Sequence, residues 1–271
     1  MSLLKSIFYG LISGLTEFLP VSSAGHRAVF SQMFGEELRA PILDLFIHIS
    51  VLAALLFVFR TTIFKIRREV SNLNNRRLRS RYASRTYYDY RLVRSASIPL
   101  VIGTFLSPLT ASLQYKLVPV SIFFILNGII LFIPSRMLRA NKDAGIMTML
   151  EGLLIGVAGI LSIFPGISRV GCIISMASVL GANPKDAFNW SVLISIPVLI
   201  AQIALNVLSL FVVQTGISVG FFMILFCAVG TFLGACLGIS IMQILSSNAD
   251  NKFAYYSWGA ALFTFILYMI V

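Results

Sequence analysis

The sequence predicts an all-α polytopic membrane protein built as an inverted-topology repeat, each half a re-entrant helix hairpin plus three transmembrane helices. Three observations lead there. Of 271 residues, 58% are hydrophobic and only 11% charged, against roughly 45–50% and about 25% in soluble domains, which excludes a water-soluble enzyme. Apolar runs of membrane-crossing length recur along the chain, and no stretch between them is large enough for a separate soluble domain, so residues 1–271 form one membrane domain. Two of the apolar stretches are broken by proline and resemble each other at an offset of 145 positions, pairing Gly14 with Gly159, Glu17 with Ser162, Pro20 with Pro165 and Ser23 with Ser168.

In chain order, the first element is the broken region from Leu3 to Phe34. Its piece Leu3–Phe18 would be about 24 Å long as a helix, short of a hydrocarbon core of roughly 30 Å, so a re-entrant hairpin fits better than a crossing. A first crossing is expected over Ala40–Phe59. Next comes the segment Arg60–Arg94, which holds eleven of the 21 basic residues and two acids, Glu69 and Asp89, and so +9 of the net +11. Short loops rich in Lys and Arg stay on the cytoplasmic side, so this basic loop is expected to be cytoplasmic. Tyr82, Tyr87, Tyr88 and Tyr90 interleave with its arginines. In a soluble protein that mixture would suggest nucleic acid; beside membrane spans it reads as ordinary interfacial chemistry, and no nucleic-acid partner is expected.

Crossings over Ser95–Leu113 and Val118–Pro134 complete repeat 1, residues 1–140. Repeat 2, residues 141–271, opens on the second broken region, Ile146–Gly181, followed by crossings over Asp186–Val213, Ser218–Leu245 and Phe253–Val271. One hairpin and three crossings per half is an odd count, so the second half lies upside down relative to the first, as in many transporters. The first hairpin then enters from outside and the second from inside, with Arg136, Arg139 and Lys142 inside and both termini outside. Cys172, Cys227 and Cys236 show no ligand spacing and read as packing residues. The N-terminal run shows no cleavage region, so a removable signal peptide is not expected.

Ionisable groups at membrane depth cost at least ~2.5 kcal/mol each on insertion scales and usually face a cavity or a partner. They are few: Glu17, His26, Arg27, Asp44, His48, Glu151 and Arg169. In FLPVSSAGH, proline and glycine free backbone amides at a helix break, Ser22 and Ser23 add hydroxyls, and a helix starting there points its N-terminal amides into the gap, where an anion is favoured. In FPGISR, Gly166 permits close backbone approach, Ser168 can cap the next helix, and Arg169 offers a planar fork matched to phosphate. Each residue has a structural reading: helix caps, a hydrogen-bonded buried histidine, a Glu17–Arg169 ion pair. As a set at two matched helix breaks they supply phosphoryl chemistry, with His26 or Ser23 as nucleophile or proton carrier and Arg169, Ser168, Gly166 and Ser22 binding phosphate; Glu17 would orient a nucleophile or hold a divalent cation.

The segments GLTEFLPVSSAGH at Gly14–His26 and FPGISRVG at Phe164–Gly171, with LDLFIHIS around His48 and SIPVLIA around Pro197, resemble the bacterial undecaprenyl-diphosphate phosphatase family, also called the bacitracin-resistance BacA family, over essentially the whole chain. The resemblance implies a multi-pass enzyme of the bacterial plasma (inner) membrane that removes the terminal phosphate from a C55 isoprenoid diphosphate, recycling the lipid carrier of cell-wall synthesis with a divalent cation, Mg2+ or Ca2+. It also implies the interdigitated inverted repeat. By motif, Glu17 matches the second acid of the family's E/Q-x-x-x-E signature, Ser23 and His26 its catalytic serine and histidine, and Arg169 the arginine of P-G-x-S-R-S. The chain departs from the pattern in four places. Ser13 stands where the first acid or amide is expected, Val170 replaces the final serine, Cys172 and Ile173 occupy the threonine region, and Asn189 replaces a glutamate. Each change removes an acid or a hydroxyl, and hard cations want several oxygen ligands.

Two readings follow for the same phosphate-binding cavity. One is hydrolysis of a polyprenyl diphosphate. The alternative is a non-hydrolytic transporter or flippase of polyprenyl phosphate working through the repeat; a lipid-binding resistance factor is a third, weaker reading. The expected partner is a polyprenyl phosphate or diphosphate lipid in the membrane. A homodimer, the isoprenoid length, and membership of Asp44, His48 and Glu151 in the cavity are left open by the sequence.

Overall fold

A computed structural model describes residues 2–35, 40–73, 85–136, 142, 146–212, 219–246 and 251–271. Among these the chain is all-helical: α1 (Leu3–Phe18), α2 (Ser23–Phe34), α3 (Pro41–Val58), α4 (Arg60–Leu73), α5 (Arg85–Thr104), α6 (Leu117–Phe132), α7 (Met149–Ile160), α8 (Arg169–Val179), α9 (Pro184–Val212), α10 (Phe221–Leu245) and α11 (Lys252–Ile270). Short 3-10 turns extend α5, α6 and α7. By length and composition α3, α9, α10 and α11 can cross a membrane, and a bent pair formed by α5 and the turn after it would make a fifth. Large apolar side chains such as Phe57, Ile102, Phe211 and Phe263 stay exposed on the outside. In a chain this apolar, such a surface marks contact with lipid, and the protein is a multi-pass membrane protein.

Two expected elements differ. The crossing over Ser95–Leu113 is not continuous: the helix ends at Thr104, the axis turns by 62°, and the chain proceeds as a 3-10 turn over Ser107–Tyr115. Pro108 explains the break, because it lacks an N–H donor and disfavours helical geometry at Ser107. The segment Arg60–Arg94, expected as a loop, is helical at both ends, with 74–84 outside the described residues. In α4, Ile63 and Ile66 share a face and pack against the core of α1, α3, α9 and α10, while the charged residues point away. In α5, Leu92, Ala96 and Leu100 are buried in a second core with α7, α8 and α9. The loop over Arg136, Arg139 and Lys142 lies mostly outside the described residues; Lys142 itself forms a single parallel bridge with Ala182. The crossing Val118–Pro134 ends as α6 of 16 residues, again about 24 Å.

Both broken regions are helix–break–helix units. The first is closed at its mouth by Lys5 Nζ donating to the Phe34 carbonyl at 3.1 Å, the second by Lys142 N donating to the Gly181 carbonyl at 2.9 Å. Their first arms pack on elements far away in sequence: α1 lies along α10 and α7 along α5. Both contacts use small residues to bring backbones together. A Cβ at Gly10 or Gly14 would collide with the backbone of Cys227 or Thr231, and one at Gly156 with the Ala96 carbonyl. In the same way α3 packs on α10 and α9 on α5, while α6 packs on α11.

Candidate functional site

The two helix breaks meet tip to tip. Ser22 caps α2, its Oγ accepting from Gly25 N, and Ser168 caps α8, its Oγ accepting from Gly171 N at 3.1 Å. The Ser22 Oγ also accepts from Gly166 N of the other tip at 3.1 Å, and Ser168 Oγ donates to the Leu19 carbonyl at 3.3 Å. Asn127, on α6, completes the junction. Its amide donates to the Pro20 carbonyl at 3.1 Å and to Ser257 Oγ at 2.9 Å, and its oxygen accepts from Ser168 N at 2.8 Å. A fully buried amide that serves both tips in this way fixes their relative position.

The caps show that Ser168 is the counterpart of Ser22 rather than of Ser23. Ser22 lies two positions after Pro20 and Ser168 three after Pro165, so the helices restart at an offset of 146 although the prolines pair at 145. Arg169 therefore occupies the place of Ser23. Each tip needs a backbone turn with positive φ, placed at Gly166 in the second (φ 120) and at a non-glycine, Ser22 (φ 66), in the first. Such a conformation is strained for a residue with a Cβ.

Beside the junction lies a small polar cleft bounded by Glu17, Ser22, Ser23, Arg27, His48, Ser168, Arg169 and Gln202. Arg169 Nη2 meets Glu17 Oε1 at 2.7 Å, with both side chains buried, and Arg169 Nη1 donates to Gln202 Oε1 at 3.3 Å. Arg169 Nε is buried and has no hydrogen-bond partner among the described residues. Ser23 Oγ lies beside the Glu17 carboxylate in the cleft and donates to the Ser13 carbonyl at 3.4 Å. Arg27 pairs with Asp44 at 3.3 Å, at the border between this cleft and a second polar recess lined by Tyr9, Ser31 and Tyr115. A helix's first amides lack partners within the helix, and the starts of α2 and α8 both line the cleft. Amides, hydroxyls and two guanidinium groups around one carboxylate make this a place for an anion.

The structure thus brings together Glu17, Ser22, Ser23, Ser168 and Arg169, with Gly166 at the tip. It does not bring His26 among them. That ring stacks on Tyr256 with centroids 5.7 Å apart and meets Phe124 edge-on; Nδ1 lies 2.8 Å from the Ser22 carbonyl and Nε2 2.7 Å from the Tyr256 hydroxyl. Ser23 and Arg27, four apart on α2, face the cleft, while the His26 ring lies toward Phe124 and Tyr256. The histidine in the cleft is His48. Glu151 lies elsewhere, in a capping box with Thr148 and an ion pair with Lys142 at 3.2 Å. Asn127, Gln202 and Asn206 were not among the sequence candidates, because ionisable groups alone were counted at membrane depth; a lone amide in an apolar run is the same kind of signal.

A divalent cation does not fit the residues present. Among the described residues no three His, Cys, Asp or Glu side chains gather closely enough to hold a metal. Glu17 is already committed to Arg169, and Ser13, where the resembled motif has a further acid or amide, directs its hydroxyl to the Tyr9 carbonyl at 2.7 Å. Of the other departures, Val170, Cys172 and Ile173 are buried packing residues, each at most 1% exposed, and Asn189 is half-buried on α9.

The sequence model of the family described as bacitracin resistance protein BacA matches residues 6–263. Proteins named undecaprenyl-diphosphatase are similar along most of their length: 32% identity with that of Prochlorococcus marinus, covering 94% of this chain and 96% of the relative; 32% with that of Carboxydothermus hydrogenoformans, covering 95% and 94%; and 31% with that of Treponema denticola, covering 80% of each.

Proposed function

This chain belongs to the bacitracin resistance protein BacA family, and on that premise we propose that it is a membrane-embedded phosphatase of polyprenyl diphosphates, of which undecaprenyl (C55) diphosphate is the expected substrate. The observation that carries the reading is the junction itself: two capped helix N-termini from two broken spans, joined by Ser22 and Gly166, with the buried Arg169 guanidinium between them and a donor still free at Nε. A terminal phosphate seated there would take hydrogen bonds from Arg169 and the first-turn amides of α8 and α2. The lipid end has a place as well. On the other side of the Leu19–Val21 turn, Leu15, Leu131, Ile174, Met242 and Phe253 line an apolar groove of about 430 Å³, so one turn divides a polar cleft from an apolar one.

In this reading Ser23 Oγ attacks the terminal phosphorus and the bond from that phosphorus to the bridging oxygen breaks. The electron pair stays on the bridging oxygen, which leaves as the polyprenyl monophosphate. Glu17 holds Arg169 in place. His26 is a positioning residue, holding the Ser22 carbonyl and hence the first tip. The inverted repeat belongs to the same proposal, with repeat 1 over 1–140 and repeat 2 over 141–271. Its support is the exchange of partners, since α1 on α10 answers to α7 on α5 and α3 on α10 to α9 on α5. The two mouths, closed at Lys5–Phe34 and Lys142–Gly181, open toward opposite ends under this arrangement. The basic segment 60–94 is then cytoplasmic and the membrane the bacterial inner membrane.

The test is phosphate release from a polyprenyl diphosphate by the purified chain in detergent, with Ser23→Ala and Arg169→Ala as controls, with and without Mg2+ or Ca2+. Release well above both controls is the expected result. Release equal to that of the controls would sink the phosphatase reading.

A further inference from the structure

Resting on that phosphatase reading, we propose that His48, on α3, is the proton carrier of the reaction. A hydrolysis through Ser23 needs a base for the attacking hydroxyl and an acid for the leaving oxygen, and few groups in the cleft are available. Glu17 is bound to Arg169 at 2.7 Å. Asp44 faces Arg27 at 3.3 Å. His26 has both ring nitrogens engaged, by the Ser22 carbonyl and the Tyr256 hydroxyl, and does not line the cleft.

His48 has the opposite arrangement. It is buried, 5% exposed, and lines the cleft with Ser23 and Arg169. Its Nδ1 is fixed from two sides, 2.8 Å from the Asp44 carbonyl and 2.7 Å from the Asn206 side-chain amide. With the Asn206 side-chain amide turned so that its oxygen faces the ring, Nδ1–H donates to the Asp44 carbonyl, which places the proton on that nitrogen and leaves Nε2 as the basic one. Among the described residues Nε2 makes no hydrogen bond. The charged groups around the ring are Glu17 from α1, Arg27 from α2 and Asp44 from its own helix.

The cycle balances on this one residue. Nε2 takes the proton of Ser23 as Oγ bonds to phosphorus, then gives it to the bridging oxygen as the polyprenyl monophosphate leaves. Water attacks the phosphoserine, its proton passes to Nε2, and the Oγ–phosphorus bond breaks. The proton returns to Oγ, releasing inorganic phosphate and restoring neutral His48.

The experiment measures phosphate release from farnesyl diphosphate by the full chain in detergent. His48→Asn keeps a short amide that can still meet Asp44 and Asn206 and deletes Nε2; it should lower kcat by about 10²–10⁴-fold, the usual contribution of general acid–base catalysis, with KM little changed. His48→Ala should be equally slow and should regain turnover with added imidazoles, in proportion to their basicity across a methyl-substituted series. A His48→Asn chain with wild-type kcat overturns the proposal while leaving the phosphatase reading intact. So does a His48→Ala chain that imidazoles do not restore, or that benzene restores as well, since filling a hole needs no base; this arm decides if His48→Asn does not fold. A wild-type chain that releases no phosphate removes both.

Discussion

The two hairpin tips are built to one plan and finished differently. Both restart their helix with a serine cap that accepts from a glycine amide three residues on, Ser22 to Gly25 and Ser168 to Gly171. The second tip has one residue more and places its positive φ on a glycine, while the first is shorter and places it on Ser22. The second brings a cation, Arg169, to the position where the first brings Ser23. The first contributes the anion Glu17 from the preceding arm, where the second has Ser162. Two tips of similar build thus hold opposite charges against each other.

Variants can break that comparison, beginning with the charges. Arg169→Ala leaves Glu17 buried and unpaired and should cost about 3–5 kcal/mol of stability as well as phosphate release. Removing both charges, with Glu17→Gln and Arg169→Met, should recover most of the melting temperature in detergent and none of the activity. A double variant no more stable than Arg169→Ala would show that the pair is not coupled as described. Next comes the shared support: Asn127→Ala strands the Pro20 carbonyl and the Ser168 amide together and should cost at least about 2 kcal/mol, at roughly 1–3 per stranded group, read as a lower melting temperature.

Smaller effects test the asymmetry of the turns. Gly166→Ala puts a Cβ at φ 120 against Phe123 and the Val120 carbonyl and should cost about 1–3 kcal/mol. Ser22→Gly relieves the positive φ of the first tip while losing two hydrogen bonds to Oγ, so its loss should be the smaller of the two; a reversed order in the two melting temperatures would contradict the assignment of strain. Ser168→Ala removes one cap and should cost about 1 kcal/mol.

Much of this was legible in the sequence, and for a physical reason. In an apolar chain each proline, glycine or charge is a rare event with few explanations, so the two breaks, the caps at Ser22 and Ser168, and the bounds of α3, α9, α10 and α11 follow from composition and spacing. The membership of Glu17, Ser23 and Arg169 in one cleft followed from the same matched breaks. What escaped depends on rotation and on distant contacts. His26 faces Phe124 and Tyr256 from α2 while His48 reaches the cleft from α3, and helix rotation, about 100° per residue, is not written in either motif. The bend at Pro108 was hidden inside a run that reads as continuous by hydropathy. Asn127 joins residues more than a hundred positions apart on either side, and no local pattern carries that.

The glycine contact between α1 and α10 has a consequence for the order of assembly. Ile7, Leu11 and Leu15 present their backbone carbonyls to Gly230, Gly234 and Gly238, so α1 docks against a helix made some two hundred residues after it. Until α8 is inserted the first hairpin carries Glu17 in the bilayer without Arg169 of the second hairpin, and it goes without its packing partner until α10 follows. The N-terminal half therefore spends most of synthesis as a waiting intermediate, and long-range closure of this kind is slow and exposed to misassembly. The polar junction at the centre of the protein is the last thing the chain completes.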